Sequence, residues 1–123
     1  MKEKDICYTA GFFDGDGHIC FEELKQKRTK KGWSDVVSYR IAIRLVNTNL
    51  PVIKKMQKLW GGFIYKRKMT DKRRTQAYDL IIVRKEAIKK FIELVYPHLI
   101  VRKNQVEKAI ESYKLARGRS YYE

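Results

Sequence analysis

Two carboxylates set among glycines are the side chains of this sequence best placed for chemistry. Asp14 and Asp16 close the segment Thr9-Ala10-Gly11-Phe12-Phe13-Asp14-Gly15-Asp16-Gly17, a run of small and aromatic residues that reads as the end of a short helix. A helix C-terminus carries partial negative charge, so carboxylates there are disfavoured unless a cation is near. A hard divalent cation taking oxygen ligands would supply that charge. The rest of the chain is strongly basic, which places these acids inside a surface suited to a polyanion. Metal-assisted phosphodiester hydrolysis is the chemistry that this combination implies.

The elements that must position these acids belong to a chain of 123 residues, one domain's worth over 1–123. Lys and Arg number 28 against 14 acids, a formal net charge of +14. Such an excess points to nucleic-acid phosphates and does not choose DNA over RNA. Hydrophobic residues make up 44%, enough for a core. No apolar run is long enough to span a membrane, and no charged-then-apolar leader opens the chain. The expectation is an intracellular protein, in prokaryotic cytoplasm or an organelle matrix. Cys7 and Cys20 lack a metal-ligand partner set and read as reduced thiols.

Hydrophobic periodicity alternates between two patterns. Residues 5–15 read as a helix, with Cys7, Ala10, Gly11 and Asp14 forming one stripe of small residues at i, i+3, i+4 and i+7. Tyr8 with Phe12, and Thr9 with Phe13, lie on other sides. Glycine inside a helix costs about 1 kcal/mol against alanine, so Gly11 calls for a reason, and close approach of another helix is the obvious one. Residues 18–28 and 36–47 read as strands around a turn at 29–32. A helix follows with Asn49 or Thr48 as its cap and Pro51 in its first turn, and Gly61-Gly62 stops it. Residues 63–68 and 75–83 form a second hairpin. Helices over about 84–96 and 102–116 complete the chain, with Pro97 between them. Two hairpins sharing one antiparallel, saddle-shaped sheet with helices on one face give an α+β fold.

On that sheet, Ile41, Ile43 and Leu45 face one way and Arg40 and Arg44 the other. The second face is expected to be nearly all positive, with aromatics interleaved. It collects His18, Glu22, Gln26, Arg28, Ser38, Arg40, Arg44, Tyr65, Arg67 and Gln76, and the hairpin turns add Lys30, Lys31, Arg73 and Arg74. A twisted basic sheet fits the DNA major groove, which admits β-ribbons.

With these pieces placed, Thr9–Gly17 resembles the signature of LAGLIDADG homing endonucleases. Ala10, Gly11, Asp14, Asp16 and Gly17 match letter for letter, Phe12 and Phe13 replace aliphatics, Gly15 replaces Ala, and Thr9 stands in place of Leu. The order of elements is also that of one αββαββα family unit. The resemblance implies that the motif helices of two units pack together. A single motif implies a homodimer joined through Cys7, Ala10, Gly11 and Asp14, on a pseudo-palindromic double-stranded DNA site. It implies that Asp16 binds the catalytic metal, Mg²⁺ or another divalent cation, and that the Gly15 carbonyl joins it. It implies further catalytic positions at Asn47 and at Arg102, with Lys103 as the alternative basic residue and a DNA contact. Asp14 is expected at the helix interface or hydrogen-bonding backbone, and His18 on DNA rather than in catalysis. The same fold also serves non-cutting DNA-binding proteins and RNA maturases, which leaves intron RNA as a further partner. A rival alignment of Asp14–Glu23 with half an EF-hand loop puts Phe12 at the first ligand position, where no oxygen is available.

Overall fold

The computed structural model describes residues 1–26, 36–70 and 74–122. Helix α1 spans Glu3–Asp16. It leads directly into β1 (Gly17–Gln26), which pairs antiparallel with β2 (Val36–Asn47). Helix α2 covers Leu50–Trp60, and a second hairpin joins β3 (Phe63–Lys66) to β4 (Tyr78–Ile82). Helix α3 (Lys85–Val95), a 3-10 turn at Tyr96–His98 and α4 (Lys103–Tyr122) follow. The sheet order is β1-β2-β4-β3, antiparallel throughout, so the two hairpins meet along β2 and β4.

Local chemistry sets the boundaries. The Asn49 side chain accepts a hydrogen bond from the Val52 amide at 3.2 Å and caps α2, with Pro51 in the first turn where its missing N–H is not needed. Gly61 and Gly62 end α2 at φ +82° and +93°, and a Cβ on Gly62 would sit 2.5 Å from the Ile81 carbonyl oxygen. Gly17 serves close approach: a Cβ there would fall 2.3 Å from the Phe13 ring. That contact lets the chain turn from α1 into β1 with no intervening loop. The elements depart from the sequence reading mainly at their ends. Helix α1 starts earlier, β3 and β4 are shorter, and α4 runs on to Tyr122.

The inward face of the sheet and the helices share one core. Ile43, Leu45, Leu80 and Ile82 pack against Phe13 of α1, Ile53 and Met56 of α2, and Phe91 of α3, and α4 adds Val106 and Ala109. The Phe91 ring meets Phe13 at 5.5 Å and Trp60 at 5.0 Å between centroids, both edge-on, the arrangement that the aromatic quadrupole favours. Thr9, in the Leu position of the signature, is fully buried. Its hydroxyl bonds the Asp5 carbonyl at 2.7 Å and accepts from Trp60 Nε1 at 3.0 Å. A buried polar atom thus has its partners, and α1 is tied to α2.

One expectation for α1 needs correcting. Ala10, placed on the small stripe at a partner surface, is 2% exposed and packs into the chain's own core. The core face of α1 is Thr9, Ala10 and Phe13, while Tyr8 stays 51% exposed. The helix is rotated relative to the sequence reading because Thr9, a polar residue, pairs inward with the Trp60 indole. The outward surface holds Cys7, Tyr8, Gly11 and Gly15, with Asp14 and Phe12 half-buried beside it.

Candidate metal-binding turn and nucleic-acid interface

Asp14 and Asp16, two residues apart, have opposite surroundings. The Asp14 carboxylate accepts three backbone N–H bonds, from Ile100 at 2.8 Å, Val101 at 3.1 Å and Arg102 at 3.1 Å. These amides belong to the turn that leads into α4, so the carboxylate also lies near the positive end of that helix's dipole. Arg102 returns the contact. Its Nε donates to the Phe13 carbonyl at 2.8 Å, its Nη2 lies 3.5 Å from the Gly15 carbonyl and its Nη1 donates to Gln105 Oε1 at 3.3 Å. A guanidinium on the last carbonyls of α1 adds a second donor to Phe13, which already accepts from the Gly17 amide, and places a cation at the negative end of that helix. The turn into α4 and the end of α1 therefore hold each other with a reciprocal anion and cation.

Asp16 is exposed, and its carboxylate has no hydrogen-bond or ion-pair partner among the described residues. Gly15 is also exposed, with open space where a side chain would stand. A carboxylate and a carbonyl are hard oxygen donors and suit Mg²⁺, which keeps several waters and takes only one or two carboxylates. One chain offers only part of a coordination shell: among the described residues, no group of three or more His, Cys, Asp or Glu side chains could hold a metal ion. The donors present fit a shell completed by water and further oxygen ligands.

The remaining candidates near this turn make local contacts. Asn47 ends β2, and its Oδ1 accepts from the Asn49 amide at 2.8 Å. The Lys103 ammonium lies 5.6 Å from the centre of the Tyr96 ring. Arg102, a candidate for the basic catalytic residue, has its guanidinium on α1 carbonyls, as described above. The Cys7 thiol lies 4.0 Å from His98 Nδ1.

The outward face of the sheet carries His18, Cys20 and Glu22 from β1, Ser38, Arg40 and Arg44 from β2, and Tyr65 from β3. Register sets His18 beside Arg44, Glu22 beside Arg40 and Tyr65 beside Asp79. The expectation that this face is nearly all positive is corrected by two acids. Glu22 accepts from Arg40 Nε at 2.7 Å, and Arg44 lies between Glu22 at 4.0 Å and Asp79 at 3.8 Å. Arg67 grips Asp79 with Nε at 2.6 Å and Nη2 at 3.2 Å. Asp79, only 2% exposed, has no place in the sequence reading. Period-two alternation sets it on the side opposite Leu80, and that is the signal by which it could be found. A buried carboxylate is sustainable there because two guanidinium groups flank it.

The rest of this face is partly engaged. The Gln76 side chain donates to the Arg67 and Ala77 carbonyls at 2.6 and 2.9 Å. Burial, and then the neighbouring Glu22 carboxylate, push the Cys20 thiol up from its ordinary pKa. Tyr65 is 50% exposed, and His18, Ser38 and Arg74 are exposed. Gln26 stands at the end of β1 opposite Val36. Arg28, Lys30, Lys31 and Arg73 lie outside the described residues.

Comparison with known proteins adds to this geometry. No curated protein matches the chain. Solved structures do. The homing endonuclease I-CvuI in complex with its target superposes with a TM-score of 0.66 at 19% identity, over 91% of this chain and 67% of that one. The homing endonuclease I-TnaI gives 0.68 at 23% identity, over 96% and 76%. The archaeal intron-encoded homing endonuclease I-Vdi141I, complexed with DNA, gives 0.68 at 18%, over 96% and 72%. At these identities the likeness establishes the shared fold. The LAGLIDADG endonuclease family model matches residues 9–113, from the motif helix into α4, and the chain therefore belongs to the LAGLIDADG endonuclease family.

Proposed function

We propose that this protein is a homodimeric, divalent-metal-dependent endonuclease that cuts both strands of a long pseudo-palindromic DNA site. The observation that carries the reading is the division between the two motif acids. Asp14 is consumed by backbone hydrogen bonds, whereas Asp16 stands exposed and without a partner among the described residues, beside a Gly15 carbonyl that only Arg102 Nη2 approaches, at 3.5 Å. When bound, Mg²⁺ supplies charge neutralisation at a scissile phosphate. The chain's own residues do the rest. Asp16 and the Gly15 carbonyl hold the cation, Asp14 and Arg102 fix the turn that presents them, and the sheet orients the duplex. Relatives support the choice of partner and cofactor: I-CvuI structures hold target DNA in the presence of calcium or magnesium.

The dimer is supported by the outward surface of α1. A Cβ added to Gly11 or Gly15 would meet no packed neighbour within 4 Å. Nothing inside the protomer therefore calls for glycine at these positions, and at Gly11, in the helix interior, it costs about 1 kcal/mol. A second α1 packed closely on that stripe accounts for both. Twofold symmetry then brings two Asp16 carboxylates together, and cations relieve their repulsion. Gly11→Leu is expected to leave a monomer in analytical sedimentation, and an unchanged dimer contradicts this interface.

The direct test is incubation with Mg²⁺ and a plasmid bearing the uninterrupted insertion site of the chain's own gene. Linear product that disappears with EDTA is expected. Binding without any cut product overturns the nuclease reading in favour of a non-cutting DNA-binding protein.

A further inference from the structure

Positive charge is distributed unevenly over the molecule. On the sheet, Arg40, Arg44 and Arg67 lie against Glu22 and Asp79. On the opposite side, where α1, α2 and α3 turn outward, the exposed acids Glu3, Glu86 and Glu93 are present, but one patch has no such balance. A cleft of about 530 Å³ there is lined by Lys2, Lys4, Lys55, Lys58 and Lys90, with Asp5 its single acid. Lys55 spends part of its charge on Asp5, at 3.9 Å, and lies 5.9 Å from the Tyr8 ring centre. The other four lysines reach no carboxylate within 4.0 Å among the described residues. A merely solvated surface intersperses both signs, as this chain's own sheet does.

The position of the cleft separates it from the candidate active site. It gathers at the N-terminal end of α1, and fourteen residues of helix place it about 20 Å from Asp16 at the 1.5 Å rise per residue. The buried faces of α1, α2 and α3 lie between it and the sheet, so a duplex on the sheet leaves it free. Its chemistry selects a backbone. Lysine is a compact point charge that suits phosphate and lacks the planar fork that reads a base edge. No aromatic side chain lines the cleft, so the stacking platform of a single-strand site is missing. The polyanion that the proposed function already brings to the molecule is double-stranded DNA.

We propose that this lysine cleft binds the phosphate backbone of a second segment of double-stranded DNA, so that the protein bridges two duplexes. The inference rests on the proposed function in that the sheet holds the first duplex.

A bead assay separates the two. A biotinylated duplex of mixed sequence is saturated with protein at low salt in EDTA, the beads are washed, and a fluorescent duplex is added. Wild-type protein is expected to capture the second duplex. The triple variant Lys55→Glu, Lys58→Glu, Lys90→Glu is expected to load on the first duplex within about twofold of wild type and to lose roughly tenfold or more of the capture, as removal of several phosphate contacts does. The neutral variant Lys55→Gln, Lys58→Gln, Lys90→Gln is expected to fall between them, and circular dichroism checks that both fold. Wild-type protein that loads on the beads and captures nothing overturns the bridging site and leaves the sheet reading standing. Capture that survives both variants, or capture of a hairpin RNA in place of DNA, also overturns it. Failure to load on the first duplex contradicts the sheet reading itself.

Discussion

The C-terminal turn of α1 and the outward face of the sheet both gather charged side chains, and they hold them by different means. In the turn, Asp14 and Arg102 are fixed by backbone amides and carbonyls. Those partners belong to the end of α1 and to the turn that leads into α4, and cannot change without moving the backbone. On the sheet, Arg40, Arg44 and Arg67 are held by other side chains, Glu22 and Asp79. Arg40 and Arg44 keep 39% of their side-chain surface exposed, and Arg67 keeps 51%. Their half-exposed guanidinium groups are screened by solvent and within reach of an incoming phosphate, although the Asp79 carboxylate that Arg44 and Arg67 flank is itself buried. A site that must place a cation to within a fraction of an ångström suits the first arrangement. A surface that must meet many phosphates and base edges suits the second.

The sharpest division lies inside the turn. Asp16→Asn keeps the shape and removes the charge that would hold the cation. Cleavage is expected to fall by more than the roughly 10–100-fold typical of supporting residues, with duplex affinity nearly unchanged in a gel-shift titration. Equal loss of binding would erase the distinction between the turn and the sheet.

Asp14→Ala tests the fixed arrangement by removing three hydrogen bonds at once. A loss of about 2 kcal/mol in denaturant stability is expected, since the amides of residues 100–102 are left to water or to nothing. A change within a few tenths of a kcal/mol would show that Asp14 does not brace the turn.

Arg44→Ala tests the exchangeable arrangement and has the smallest expected effect. It removes about 1–3 kcal/mol of discrimination at particular base pairs if Arg44 leaves Asp79 to read guanine. A uniform loss across all sequences would make it a phosphate contact. Stability should change little, because Arg67 still covers the Asp79 carboxylate.

Much of this is legible in the residues. Strand β2 can be read to its ends because its alternation is strict and long, and α2 because Asn49, Pro51 and Gly61 punctuate it. The motif segment marks the turn because acids beside glycines at a helix end are chemically odd. Three features lie out of reach for physical reasons. The rotation of α1 depends on Trp60 reaching across the core to Thr9, a contact 51 residues away in sequence. Arg102 reads from its type as a cation for phosphate, and only the packing of α4 on α1 shows it capping a helix. Asp79 reads as an acid within an apolar strand, and its burial becomes intelligible only when register sets it opposite Val46, diagonal to Arg44 and within reach of Arg67. In each case the deciding partner lies on another element, which periodicity within one segment does not encode.

The central claim is that the two motif acids divide their work, Asp14 for structure and Asp16 for a cation. Manganese uptake by the protein–duplex complex, followed through the electron paramagnetic resonance of the free ion, tests it most directly. The account predicts that Asp16→Asn loses an ion that wild-type protein and a folded Asp14→Asn variant retain, at equal duplex occupancy. Identical uptake by wild-type protein and Asp16→Asn would contradict it.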